Sequence, residues 1–266
     1  MTEQRYSKHD VSHLASRLSE RDWHIIRFVD QHRFATSVHL RRMYFVGHDS
    51  QSAATRACTR VLDRLLILRV LTRLERRIGG NRHGSAAFIW CLDVVGERLT
   101  RTEGQPRRRF HEPSYQFLAH TLALTETHVQ LVEAERAEHF ALSCVEVETE
   151  AWRTFVAPYG GTTMLKPDLM LTISTLEYQD HWYLEVDLAT ESLPVLLRKC
   201  RTYEEYRRTG RAQAEHGVFP RVLWVMPTHA RIGRLKAAIE AEAALPDRLF
   251  ILTTPDQLIA TLQEPP

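Results

Sequence analysis

The sequence predicts a chain of α/β plus α class, with a helical first part followed by an α/β part built on a mixed sheet. Up to about residue 66, apolar residues recur at helical spacing, whereas from residue 116 helical and strand-like runs alternate. The charge changes sign with the pattern. Residues 1–115 hold 21 Lys+Arg against 12 Asp+Glu, a formal +9, and residues 116–266 hold 14 against 21, or −7, which together make the net +2. Between the parts, RTEGQPRRRFHEPSY (101–115) carries two prolines, a glycine and Arg107-Arg108-Arg109, the composition of a basic linker. The expected domains are 1–100 and 116–266 with that linker between them, and 266 residues suffice for two cores.

Several classes of function find no support. Cys58, Cys91, Cys144 and Cys200 are scattered with no Cys-x-x-Cys pair, which argues against a zinc ribbon or a disulfide framework. No run approaches the roughly 18–20 apolar residues of a membrane span, and the start, MTEQRYSKHD, lacks the apolar core of a signal peptide. A cytoplasmic protein without a membrane partner is expected. There is no His-Glu-x-x-His, phosphate-cradling Gly-x-x-x-x-Gly-Lys-Ser/Thr, Gly-x-Ser-x-Gly or His-x-His cluster. His120 and His128, two turns apart on a predicted helix, read as packed or surface histidines.

In the first part, Ser19-x-x-Asp22 resembles a capping box, and Trp23, Ile26 and Val29 follow at helical spacing. Thr36 is placed to cap a second helix that buries Leu40 and Met43. A third helix, about 50–66, puts Ala54, Ala57, Cys58, Val61, Leu62 and Leu65 on one side and Arg56, Arg60 and Arg64 on the other, at i, i+4 and i+8. After it come VLTRL, a Gly-rich basic turn and the apolar strand AAFIWCL. Two strands joined by a basic tip behind a third helix look like the wing of a winged helix-turn-helix domain. There the third helix would enter the major groove of double-stranded DNA, and Arg76, Arg77, Arg82 and His83 would touch phosphate or the minor groove. The plainer alternative is an Arg stripe on a solvated helix, since only four of the chain's basic residues are Lys. Winged-helix proteins often act as homodimers on paired half-sites.

The second part begins with a long helix, about 116–137, and a strand near 142–148. The strands LKPDLMLTI and HWYLEVDL, a helix of about 192–208, and further strands RVLWVM and LFILTT interleaved with helices complete it. The order α-β-β-β-α-β is that of restriction-endonuclease-like folds, and the continuous apolar strands imply a sheet covered on both faces. Side chains two apart on a strand share a face. Asp168 on one strand, and Glu185 and Asp187 on its neighbour, are therefore expected to converge and hold Mg²⁺ or Mn²⁺. Alternatively, Glu185 and Asp187 line the wet side of an amphipathic strand.

With these motifs on view, the second part resembles the PD-(D/E)XK nuclease superfamily. The whole layout, from about Leu18 to Leu262, resembles the replication-relaxation family of actinobacterial plasmids and other mobile elements. The residues that carry the likeness are LSERDW, the wing, LAHTLAL, KPDLML, YLEVDLATES and Lys199-x-x-x-Tyr203. The resemblance implies that Asp168 and Glu185 are metal-binding acids and that Glu126 is an accessory acid on the first helix. It is broken at Asp187, where the superfamily has Lys. Lys199, with Tyr203 beside it, and Lys166 are the two candidates to replace that ammonium. Two readings stay open: a Mg²⁺-dependent endonuclease delivered by a DNA-binding domain, or a DNA-binding accessory factor built on a degenerate nuclease fold. In either, plasmid replication or transfer proteins are the expected protein partners.

Overall fold

The structure, a computed structural model, describes residues 7–74, 87–104, 106, 111–158, 160–176, 178–246 and 248–264. The expected wing-tip residues Arg76, Arg77, Arg82 and His83, and the run Arg107-Arg108-Arg109, lie outside the described residues. The chain forms two compact units, Met1–Val129 and Gln130–Pro266.

The first unit contains α1 (Lys8–Ala15), α2 (Glu20–His32), β1 (Ala35–Thr36), α3 (Ser37–Tyr44), α4 (Gln51–Ile67), β2 (Leu71–Arg73), β3 (Ile89–Leu92), α5 (Val94–Thr100) and the first part of α6 (Tyr115–Arg136). The three predicted helices form as their caps require. The Ser19 and Thr36 side chains accept from the amides of Asp22 and His39 in reciprocal capping boxes, and Ser50 accepts from Ala53. β2 and β3 pair antiparallel, and β1 adds on the far side of β3 to make a three-stranded sheet. Sequence patterning missed α1, β1 and α5, all of eight residues or fewer and too short to show a period.

The boundary between units falls inside α6, well past the proline-rich linker. The reason is packing. Leu118 and Leu122 join Phe34, Leu74, Ile89 and Cys91 in one buried cluster, the Thr125 hydroxyl donates to the Phe34 carbonyl at 2.9 Å, and His128 bonds His32 at 2.8 Å. The start of the helix is therefore part of the first core.

The second unit is organised on β4 (Ala141–Val147), β7 (Leu169–Ser174), β8 (Gln179–Val186), β9 (Arg221–Val225) and β10 (Phe250–Thr253); a hairpin of β5 (Arg153–Val156) and β6 (Thr162–Leu165) intervenes between β4 and β7. Helices α7 (Leu193–Arg208), α8 (Arg211–His216), α9 (His229–Glu240) and α10 (Leu258–Gln263) complete it. The sheet order is β10-β9-β8-β7-β4, with β7 antiparallel to both neighbours and β8, β9 and β10 mutually parallel. It is the mixed sheet expected from the sequence. One face packs Met170, Tyr183, Val222, Trp224 and Phe250 with Leu196, Cys200, Tyr203, Leu235 and Ile239 of α7 and α9. On the alternate positions Leu169, Leu171, Ile173, Trp182, Leu184 and Leu223 are wholly buried, as a two-sided core demands.

One expected strand is broken. Leu165 ends β6, which pairs with β5, while Leu169 begins β7 in the large sheet, so Lys166, Pro167 and Asp168 form the crossing between two sheets. Pro167 contributes no amide hydrogen, which favours such a break over a continuous ladder.

Candidate active site

The edge of the large sheet where β7 starts and β8 ends brings Asp168 and Glu185 together. Leu169 pairs with Leu184 in the antiparallel register, so Asp168 and Glu185 are the next opposed pair and share the face that α7 covers. The Val186 amide donates to Asp168 Oδ2 at 2.8 Å, and the Asp168 amide donates to the Leu184 carbonyl at 3.1 Å. The carboxylate is thereby fixed across the strand pair.

Glu185 is 1% exposed. Tyr203 donates its hydroxyl to Oε1 at 2.7 Å, and Lys199 donates to Oε2 at 3.2 Å. Lys199 and Tyr203 are four apart on α7, one turn of helix, so both reach the same carboxylate. The helix begins here with Pro194 in its first turn, where the missing amide hydrogen costs nothing. Burial first, and then the charge of Asp168, hold Glu185 up at about 7, against the opposing pull of Lys199 and Tyr203. For Lys199, partial burial works against the charge, but Glu185, Asp168 and Glu191 outweigh it and hold the ammonium above its ordinary range. Burial and the neighbouring Glu185 likewise push the Tyr203 phenol upward, so it stays a neutral donor.

Two groups without an assigned role in the sequence belong to this constellation. Glu191, in the loop before α7, lies 3.3 Å from Lys199 Nζ and leaves that ammonium shared between a buried and a half-exposed acid. The Trp224 ring lies beneath the same ammonium, 5.9 Å to its centroid. The acid run Glu185, Asp187, Glu191 was a signal for the first; nothing local signalled the second.

The expected convergence of three acids is corrected at Asp187. Beyond the end of β8 its carboxylate is taken by Arg231 of α9 and by the Ala189 amide at 3.1 Å. A guanidinium offers a fork that matches both carboxylate oxygens, which a shared cluster of anions cannot offer. Among the described residues no group of three or more His, Cys, Asp or Glu side chains is placed to hold a metal ion. Lys166 does not join the acids either, since its ammonium stacks on the Trp152 ring 4.7 Å from the centroid. Glu126 lies in the other unit, where it accepts from Arg42 at 2.6 and 2.8 Å and faces His39 at 3.2 Å. Burial alone would raise it, but His39 and Arg42 hold it down at about 2.

On α4, Arg56 and Arg60 are exposed, opposite the buried Ala54, Ala57, Cys58, Leu62 and Leu65. Arg64 donates to Asp22 at 2.5 Å, so the third member of the stripe is tied to the cap of α2. His128 is buried against His32, in keeping with a packed rather than ligating histidine.

A family model described as replication-relaxation matches residues 26–222, about three quarters of the chain. The chain belongs to the replication-relaxation family. Membership suggests a role in the replication or relaxation of plasmid or mobile-element DNA, with DNA and replication-related proteins as partners. The replication-relaxation match spans Asp168, Glu185, Lys199 and Tyr203 and stops before α9, which carries Arg231. No curated protein and no solved structure matches the chain significantly. Among the described residues no helix is long and apolar enough to cross a membrane.

Proposed function

We propose that this protein binds double-stranded DNA through a winged helix-turn-helix in its first unit and cleaves or nicks DNA at a PD-(D/E)XK-type, Mg²⁺- or Mn²⁺-dependent site in its second. The observation that carries the reading is the ammonium of Lys199, 3.2 Å from Glu185 on the face shared with Asp168. It supplies from a helix the cation that Asp187 cannot supply from the strand. The sheet supports the same reading, because α6, then β4, β7 and β8 of the large sheet, then α7 and β9 follow the α-β-β-β-α-β order expected of a restriction-endonuclease-like core. For the first unit, support comes from the exposed Arg56 and Arg60 on the helix that precedes the antiparallel strands β2 and β3.

The residues present fit a divalent ion. Mg²⁺ takes one or two carboxylates and fills its remaining positions with water and phosphate oxygens, and Asp168 and Glu185 are two acids close enough for one to raise the other. Bound there, the ion would withdraw charge from a phosphodiester and from the water that attacks it. The chain does the rest. The Val186 amide and the Tyr203 hydroxyl hold the two carboxylates in fixed orientation. Lys199, its ammonium held above the ordinary range by the acids around it, orients water or balances the charge that develops on phosphate.

The test is supercoiled plasmid incubated with wild-type protein and with Asp168→Ala, in EDTA, Mg²⁺ or Mn²⁺, resolved on a gel. Metal-dependent open-circle or linear product, absent in the variant, is the expected result. Intact supercoils with a retarded band would instead identify a DNA-binding accessory factor on a silent nuclease fold.

A further inference from the structure

The position that breaks the nuclease pattern has its own partner. Glu185 and Asp187 are two apart and lie on one face of the chain, the Asp187 amide continuing the strand by donating to the Val225 carbonyl at 2.9 Å. Yet they meet different helices. Glu185 meets Lys199 and Tyr203 of α7, while Asp187 meets Arg231 of α9, whose Nε and Nη2 engage both carboxylate oxygens. Nη2 also donates to the Glu191 carbonyl at 2.7 Å. The pair is enclosed, with Arg231 11% and Asp187 2% exposed. Arg231 thus ties down both ends of the loop that carries Glu191 to Lys199.

We infer that Arg231 is a positioning residue that withdraws Asp187 from the metal-binding face and limits the protein's donors there to Asp168 and Glu185. The inference rests on the metal-site reading above. A carboxylate this enclosed is stable only beside a counter-ion. With the guanidinium removed, a divalent ion held by Asp168 and Glu185 on the same face would be a cation open to Asp187, and adding a charged oxygen donor strengthens a hard-cation site. A merely structural guanidinium would lower stability on removal without tightening metal binding.

The measurement is Mn²⁺ binding by calorimetry to the full chain, with circular dichroism to verify folding. It compares wild type, Asp168→Ala, Asp187→Asn, Arg231→Met and the double variant Arg231→Met/Asp187→Asn. The expected pattern is Asp187→Asn within about twofold of wild type, Arg231→Met about tenfold tighter, and the gain abolished in the double variant. A loss of about tenfold in Asp187→Asn would make Asp187 a ligand and overturn the inference, even if Arg231→Met does not fold. Unchanged or weaker binding by folded Arg231→Met would also overturn it. No uptake by wild type, as by Asp168→Ala, removes the metal-site reading and this inference with it. That result is distinct from uptake in wild type with no response to Arg231.

Discussion

Lys199 and Lys166 flank the same acids in sequence, but only Lys199 touches one. Lys199→Gln is expected to lower metal-dependent nicking by about 10²–10³-fold, as loss of a charge-stabilising donor does. Lys166→Gln should leave most of the activity, because its ammonium is on Trp152. Equal loss in both would dismiss the assignment of Lys199. Glu185 makes a second prediction at this scale. Its carboxyl is raised from an ordinary 4.5 to about 7 in the folded protein, so the folded state keeps a proton that the unfolded state has given up. Its contribution is therefore most favourable below about 4.5 and falls as pH rises through about 7. Urea unfolding at pH 5 and pH 7.5 should show wild type losing more stability across that interval than Glu185→Gln. Parallel losses would sink the idea.

At the scale of elements, α2 and α4 are joined by an acid with two tasks. Asp22 closes the capping box of α2 and accepts from Arg64 of α4. Burial would raise it, but Arg64 and Ser19 together hold it below its usual range. Arg64→Ala is expected to cost on the order of 1–3 kcal/mol of stability by leaving a buried acceptor unsatisfied. Arg56→Ala and Arg60→Ala should leave stability nearly unchanged and weaken DNA binding, by about 1–3 kcal/mol for an arginine that reads a base. Chemical denaturation and a DNA-binding titration on the same three variants separate the roles, and unaltered DNA affinity in Arg56→Ala and Arg60→Ala would refute the groove-facing assignment. A second element-scale constraint is Gly96 of α5, where a β-carbon would lie 2.1 Å from the Val70 carbonyl oxygen. Gly96→Ala must push α5 off the start of β2 and should cost on the order of 1–3 kcal/mol, measured by the same denaturation.

At the scale of the whole molecule, the two units carry buried groups that respond oppositely to pH. In the first, burial lowers His128 from 6.5 to about 4, and burial with His128 and His39 lowers His32 well below its usual value. These rings are neutral when folded and take up protons more readily when unfolded. Their contribution is complete above about 6.5 and is lost as pH falls toward about 4. Glu185 in the second unit has the reverse sign over much of that interval. Hydrogen exchange, corrected for intrinsic rates, should therefore show protection near His32 and His128 falling on acidification from pH 7 to pH 5. Protection around Glu185 should hold or rise. Loss of protection in step in both units would count against independent control by these groups.

Much of this was legible in the sequence because it depends on neighbours along the chain. Capping at Ser19 and Thr36 needs only the next three residues. The buried side of α4 follows from a period of 3.6, and the shared face of Asp168 and Glu185 from a period of two. The mixed sheet followed from the order of apolar runs. Which side chain meets which charge was decided only by the tertiary structure. Asp187 went to Arg231, 44 residues away, Glu126 to Arg42, 84 away, and Arg64 to Asp22, 42 away. Pattern places a charge on a face, but the partner for a buried charge is whichever counter-ion packing brings within hydrogen-bond reach.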